Sequence, residues 1–133
     1  MKRFFRLPTL ALALVMCSIL PSVGCKSQAY VQHPGSVNIF DSQAYDWVLT
    51  TKAVIDSAKT DLANGAWSAT IAAKVKLILN DALIPAYNVL DTAYLDYHAA
   101  AATNPNASTA ALQTAINNAG TQTQALTSAK AGN

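Results

Sequence analysis

From Asp41 onward, apolar residues recur every third or fourth position, a spacing that commits this part of the chain to helices. No strand pattern competes with it. Ala44, Val48, Thr51, Ile55, Ala58 and Leu62 share one face of a helix predicted over 41–63, with Trp47 and Val54 on its flank. Asp46, Thr50, Ser57 and Thr60 fall on the other side. Asp41 is the expected N-cap, and Phe40 with Tyr45 has the spacing of a hydrophobic staple. Asn64-Gly65 is the stop, because glycine accepts the left-handed conformation of a C-cap.

The second predicted helix is the longest, from Ala66 or Ser68 to about Ala102. Its apolar face comprises Ile71, Val75, Ile78, Leu79, Ala82, Ala86, Val89, Leu90, Ala93 and Tyr97. Pro85 sits in its middle and lacks the N–H that would bond to Asp81. The flanks, Ala82-Leu83-Ile84 and Ala86-Tyr87, hold no turn former, so a kink is expected there. Asn104-Pro105 is the expected start of a third helix running to about Ser128, with Asn as N-cap and Pro at the first helical position. Its face of Leu112, Ala115, Ile116, Ala119, Thr123 and Leu126 is thin, and Gly120 weakens it. The expected fold is all-α: an up-down-up three-helix bundle with a long, Pro-kinked middle helix, or four helices if the chain breaks at Pro85.

The N-terminus has a different character. Lys2, Arg3 and Arg6 precede an apolar run, Leu7 to Leu20, broken only by Pro8, Thr9 and Ser18. This is the layout of a secretory signal, and the run is too short for a transmembrane helix, which needs ~20 apolar residues. Pro21-Ser22-Val23-Gly24-Cys25 follows and resembles the lipobox of bacterial lipoprotein precursors, although Ser22 stands where that family usually has Leu. The resemblance covers about the first fifth of the chain and rests on Gly24 and Cys25. It implies that residues 1–24 are removed, that Cys25 carries diacylglycerol, and that its new amine is acylated in many bacteria. It further implies a cell-envelope location and the membrane as a partner through the lipid. Lys26 stands where inner-membrane retention would need an aspartate, which favours the outer membrane of a Gram-negative host.

Other readings of this segment remain. Ser27-Gln28-Ala29 is a small-x-small site whose use would release a soluble, cysteine-free protein, and an uncleaved anchor is a third outcome. The small helical lipoprotein linked to peptidoglycan through a C-terminal lysine is a poor comparison. This chain ends Lys130-Ala131-Gly132-Asn133 and lacks long uninterrupted heptads.

Removing the signal changes the charge. Three of the nine Lys and Arg residues leave with it, and the six that remain face seven aspartates, a net charge of about −1. Both arginines are lost, so no basic patch suited to phosphates remains, and nucleic acid is not an expected partner. Cys17 lies inside the signal and Cys25 is consumed by lipid, so the body has no disulfide. The expected organisation is a signal over 1–24, a lipidated N-terminus and tether over 25–40, a helical domain over 41–128 and a tail over 129–133. The tether either stays extended or lays Tyr30, Val31, Val37, Ile39 and Phe40 against the domain surface.

No sequence pattern brings reacting groups together. There is no Gly-rich phosphate loop, no H-E-x-x-H and no nucleophile elbow, so no enzyme, metal or cofactor is implied. The best polar group is Tyr87, Asp91, Tyr94 and His98, spaced to share one side of the second helix. There Asp91 is placed to bond a tyrosine hydroxyl, and His98 to pair with Tyr94 or bind a metal, although one His with one Asp falls short of the three or four ligands of a stable site. Leu77, Ile84 and Leu95 form an apolar stripe opposite the main face, a candidate binding surface for the lead-in, a neighbouring helix, a second copy or an envelope protein. His33, beside Pro34-Gly35, is expected as a turn residue in the tether. The resulting expectation is a lipid-anchored envelope protein acting by binding or scaffolding, with a periplasmic small-ligand binder or carrier using the helix-two flank as the alternative.

Overall fold

The computed structural model describes residues 30–131; the signal segment and Cys25 lie outside the described residues. Every regular element among the described residues is helical: α1 (Ile39–Ala63), α2 (Ala69–Ile78), a π-helical turn (Leu79–Leu83), α3 (Ile84–Thr103) and α4 (Ala110–Ala131). Because α2, the π turn and α3 follow one another without a gap, residues 69–103 form one helical path. The described residues therefore form three helices, with no break at Pro85.

Each helix end has a local cause, and two differ from expectation. Asn38, not Asp41, caps α1, its side chain accepting from the Asp41 amide at 2.9 Å. Asp41 is the third helical residue, and its carboxylate reaches back to accept from the Val37 amide at 3.0 Å. This reciprocal arrangement starts the helix earlier and leaves no staple between Phe40 and Tyr45. Phe40 instead packs edge-on against Tyr97, with ring centroids 5.3 Å apart. Gly65, at a φ of 65°, closes α1 as expected, and Ser68 caps α2.

α4 begins at Ala110 rather than at Pro105. The Asn104 side chain takes the Asn106 amide, and its carbonyl takes the Ala107 amide, so the chain turns here before it coils. At its other end α4 passes Ser128 and continues to Ala131. There Lys130 lies over the Trp67 ring and 3.8 Å from the Asp61 carboxylate.

Two apolar clusters hold the helices together. One joins Ala44 and Val48 of α1 to Leu90 and Tyr97 of α3 and to Leu112, Ala115, Ile116 and Ala119 of α4. The other joins Ile55 and Ala58 to Ile71, Val75, Leu79, Leu83 and Leu126. Tyr87 packs against both. Thr51, in sequence between Val48 and Ile55, is buried, and its hydroxyl finds no partner among the described residues. The Thr123 hydroxyl, between Ala119 and Leu126, is buried and unpartnered in the same way.

The π turn determines which residues of 69–103 face these clusters. Pro85 offers no N–H, and its ring crowds the carbonyl four residues earlier. Just before it, the Ile84 amide bonds to the Leu79 carbonyl, five residues back. Each such turn holds one extra residue and rotates everything downstream by about 100°. Leu83 is consequently fully buried, where an uninterrupted helix would have used Ala82, and Val89 is exposed beside a buried Leu90.

The same rotation dissolves the expected stripe of Leu77, Ile84 and Leu95. These residues align only if the helix is uninterrupted. Ile84 turns inward against the second cluster, whereas Leu77 and Leu95 stay exposed at 62% and 57% on different sides. The lead-in does not cover them, as its contacts are with α1 and α3.

Truncating Leu83 and Leu77 separates the two registers. Leu83→Ala should lower stability by about 2–5 kcal/mol, and Leu77→Ala by no more than about 0.5 kcal/mol, in urea unfolding. The reverse order would restore the uninterrupted helix. Thr51→Val removes an unpartnered hydroxyl and keeps the shape, so it should be neutral or raise stability by up to about 1 kcal/mol. A clear loss would mean that the hydroxyl is hydrogen-bonded in solution.

Candidate functional site

Of the two courses open to it, extended or laid against the domain, the lead-in takes the second. Beginning at Tyr30, it lies back across the first two turns of α1 and is held there by side chains of that helix. Ser42 and Asp46, four residues apart, share one side of α1, and both meet the lead-in. The Tyr30 hydroxyl donates to the Asp46 carboxylate at 2.6 Å and lies 3.0 Å from the Ser42 hydroxyl. The His33 amide donates to Ser42 Oγ at 2.8 Å, and His33 Nε2 lies 2.6 Å from the other Asp46 oxygen. Pro34 and Gly35, at a φ of 89°, then turn the chain so that Asn38 can cap α1. Asn38 also donates from Nδ2 to the Tyr97 hydroxyl at 3.1 Å, joining the lead-in to α3.

Asp41 makes the second connection. Its carboxylate is fully buried, and Oδ2 accepts from both the Val37 amide and His98 Nδ1, the latter at 2.8 Å. Its Oδ1 finds no partner among the described residues. Around these groups the His33 ring meets Tyr45 edge-on at 5.4 Å, Tyr45 lies 5.7 Å from Tyr94, and Tyr94 lies 5.9 Å from His98. Together His33, Pro34, Gly35, Ser36, Tyr45, Tyr94 and His98 line an open cleft of about 520 Å³.

The electrostatics follow from these contacts. The hydroxyl of Tyr30, and then His33, hold Asp46 below the ordinary carboxylate value of 3.8. In return, the Asp46 carboxylate raises the Tyr30 phenol above 10.0. Burial, and then the charge of Asp41, push the Tyr94 phenol upward, so it keeps its proton and remains a donor to anything in the cleft.

Of the four polar residues grouped by spacing, the structure brings Tyr94 and His98 to the cleft and separates the other two. Tyr87 belongs to the boundary of the apolar clusters, and Asp91 joins no hydrogen bond or ion pair among the described residues. His98 pairs with Asp41, 57 positions away, and not with the Tyr94 hydroxyl. Sequence reading assigns Tyr30, His33, Asp41, Tyr45 and Asp46 other roles, in the lead-in, the turn, the cap, the staple and the polar side of α1, and assigns Ser42 none; it does not point to them as parts of one site. The spacing of Ser42 and Asp46 on one helix side was the only available signal, and nothing in it names the lead-in as their partner.

Ser42, His33 and Asp46 do meet, but not as a catalytic triad. His33 Nε2 faces the carboxylate, and the serine hydroxyl is buried against a backbone amide and a phenol rather than against an imidazole nitrogen. Among the described residues no group of three or more His, Cys, Asp or Glu could hold a metal ion. A second, largely apolar cleft of about 630 Å³ runs between α3 and α4, past Val89, Ala93, Tyr97 and Leu112. The chain matches no protein-family model, no curated protein and no solved structure.

Acid should release the lead-in. Because the folded state holds Asp46 below 3.8, its contribution is complete above that value and is lost as pH falls through the lower, folded one. Exchange of the His33 amide with deuterium should therefore accelerate below about pH 4, before the helices unfold. Asp46→Asn should make that amide exchange fast at neutral pH as well. Slow exchange in the variant would show that Asp46 does not hold the segment.

Proposed function

We propose that this protein is a lipid-anchored component of a bacterial cell envelope, acting by binding or scaffolding and not by catalysis. The observation that carries the reading is the run Ser22-Val23-Gly24-Cys25 directly after a charged and apolar leader. Each buried methylene of an acyl chain contributes ~0.8 kcal/mol, so two or three chains on Cys25 anchor the protein stably to the membrane. Among the described residues no helix is long and apolar enough to cross a membrane. Lys26 favours the outer membrane if the host is Gram-negative.

The body is then an up-down-up bundle of three helices whose middle member bends at the π turn beside Pro85. Supporting this arrangement, Asp41 at the start of α1 meets His98 near the end of α3, and a short turn leads from there into α4. A binding role is favoured because both histidines are engaged by carboxylates and the only cysteine left after signal removal is the lipid carrier. An envelope protein or a second copy remains the proposed class of protein partner. The cleft beside Tyr45, Tyr94 and His98 favours a second reading, a carrier of a small ligand, and its protonated Tyr94 would serve as a donor.

Expressed in a bacterial host, the precursor should incorporate labelled palmitate and yield a mature N-terminus at a diacylglyceryl-modified Cys25. Cys25→Ser should abolish the label and leave unprocessed precursor or soluble product. Normal processing and unchanged membrane retention in that variant would end the lipoprotein reading.

A further inference from the structure

We propose that the end of the molecule formed by the lead-in and the first turn of α1 rests on the lipid bilayer, with Val31, Val37 and Ile39 in contact with it. The proposal depends on lipidation of Cys25 and goes beyond it. An anchor by itself leaves the orientation of the body free, whereas this surface fixes which end faces the membrane.

Three observations converge on it. The first is reach. Tyr30 is held to Ser42 and Asp46 and lies five positions after Cys25, with four residues between, so the lipidated residue lies no more than about 18 Å from Tyr30. The opposite end of α1, 25 residues long, is about 37 Å away along the helix and cannot be the end beside the lipid.

The second is composition. Val31 is 84% exposed and Ile39 56%, with Val37 and part of Tyr30 also open to solvent. Four of the nine exposed large apolar residues among those described thus sit on the one eleven-residue segment that the lipid would hold near the bilayer, while Trp47, Leu49, Leu77, Val89 and Leu95 are spread along the helices.

The third is charge. Residues 30–40 and 97–111, brought together where α1 begins, α3 ends and α4 starts, contain no Lys, Arg, Asp or Glu. The charged neighbours are the buried Asp41, Asp46 bonded to the lead-in, and Asp96 at the edge. The five lysines of the described body, at positions 52, 59, 74, 76 and 130, lie farther along the helices. Apart from Asp46, whose part-exposed carboxylate is already bonded to Tyr30 and His33, this apolar-studded end can settle into the headgroup and acyl boundary, about 5–10 Å deep, with little charge to desolvate. The bonds to Ser42 and Asp46 are made by Tyr30 and His33, through the Tyr30 hydroxyl and the His33 amide and ring, and leave Val31, Val37 and Ile39 exposed.

The test uses the full mature protein carrying one added cysteine, Val31→Cys, Ile39→Cys or, as an equally exposed control, Leu77→Cys. The thiol of a lipidated Cys25 is blocked as a thioether, so a nitrobenzoxadiazole label goes to the new site alone, and intact mass reports lipidation separately. The proteins are placed in phosphatidylcholine–phosphatidylglycerol vesicles with nitroxide-bearing acyl chains. Labels at 31 and 39 should shift to the blue and be quenched several-fold more than the label at 77. Val31→Asp combined with Ile39→Asp should remove that quenching from a label at Val37→Cys and leave the circular dichroism unchanged.

Equal quenching at 31, 39 and 77 in a protein of the lipidated mass would overturn the orientation and leave the anchor intact. A blue shift that grows with protein concentration and shows no lipid quenching would assign the patch to a second copy, overturning the membrane contact. An unmodified Cys25 would remove the anchor and this proposal with it.

Discussion

A carboxylate buried inside a small helical domain must be compensated, because moving an unpaired charge out of water costs several kcal/mol. Asp41 meets this constraint with partners from three parts of the chain. It lies in the first turn of α1, where unpaired amides and the helix dipole favour negative charge. Its Oδ2 accepts from Val37 in the lead-in and from His98 near the end of α3. Removing either partner would leave part of a buried charge uncompensated, so the start of α1, the path of the lead-in and the end of α3 are fixed together. The cleft between His33, Tyr45, Tyr94 and His98 exists because these three segments meet there.

How far the sequence could be read depended on the kind of signal. Helical periodicity is local, and it placed the three helices and most of the residues in both clusters. The Gly65 stop was equally visible, since it rests on one residue's backbone freedom. A Pro85 disturbance was expected, but not its form. A kink keeps the helical register, whereas the π turn advances it by one residue, moving Leu83 inward in place of Ala82 and exposing Val89. That single shift also removed the Leu77, Ile84 and Leu95 stripe, which had been deduced from a register the helix does not keep.

The polar site was less legible because its contacts are distant in sequence. Tyr94 and His98 could be grouped by spacing along one helix, yet the partner of His98 is 57 positions away and that of His33 is 13. Helical spacing carries no information about a segment outside the helix. The lead-in read as a tether because Lys26-Ser27-Gln28 is polar and His33-Pro34-Gly35 is a turn, both of which suit an exposed strand of chain. What holds it down is a set of side-chain bonds, Tyr30 and His33 to Ser42 and Asp46, whose donors and acceptors are commonplace residues on the page.

Folding the lead-in onto α1 changes what a lipid on Cys25 would mean for the body. An extended tether of residues 26–40 would allow about 50 Å between anchor and domain, enough for free tumbling above the headgroups. With Tyr30 fixed, four residues, Lys26 to Ala29, would separate it from a lipidated Cys25, and the proposed anchor would then confine the domain to the layer next to the bilayer. Any partner must then be reached across the sides or the far end, where Lys59, Lys74, Lys76 and Lys130 lie and where Trp67 and Lys130 close the structure. The same confinement would bear on the cleft, which is lined in part by the lead-in and would then open toward the membrane-proximal layer. A ligand entering it would come from the neighbourhood of the lipid surface, and release of the lead-in in acid would open the cleft and lengthen the spacer together.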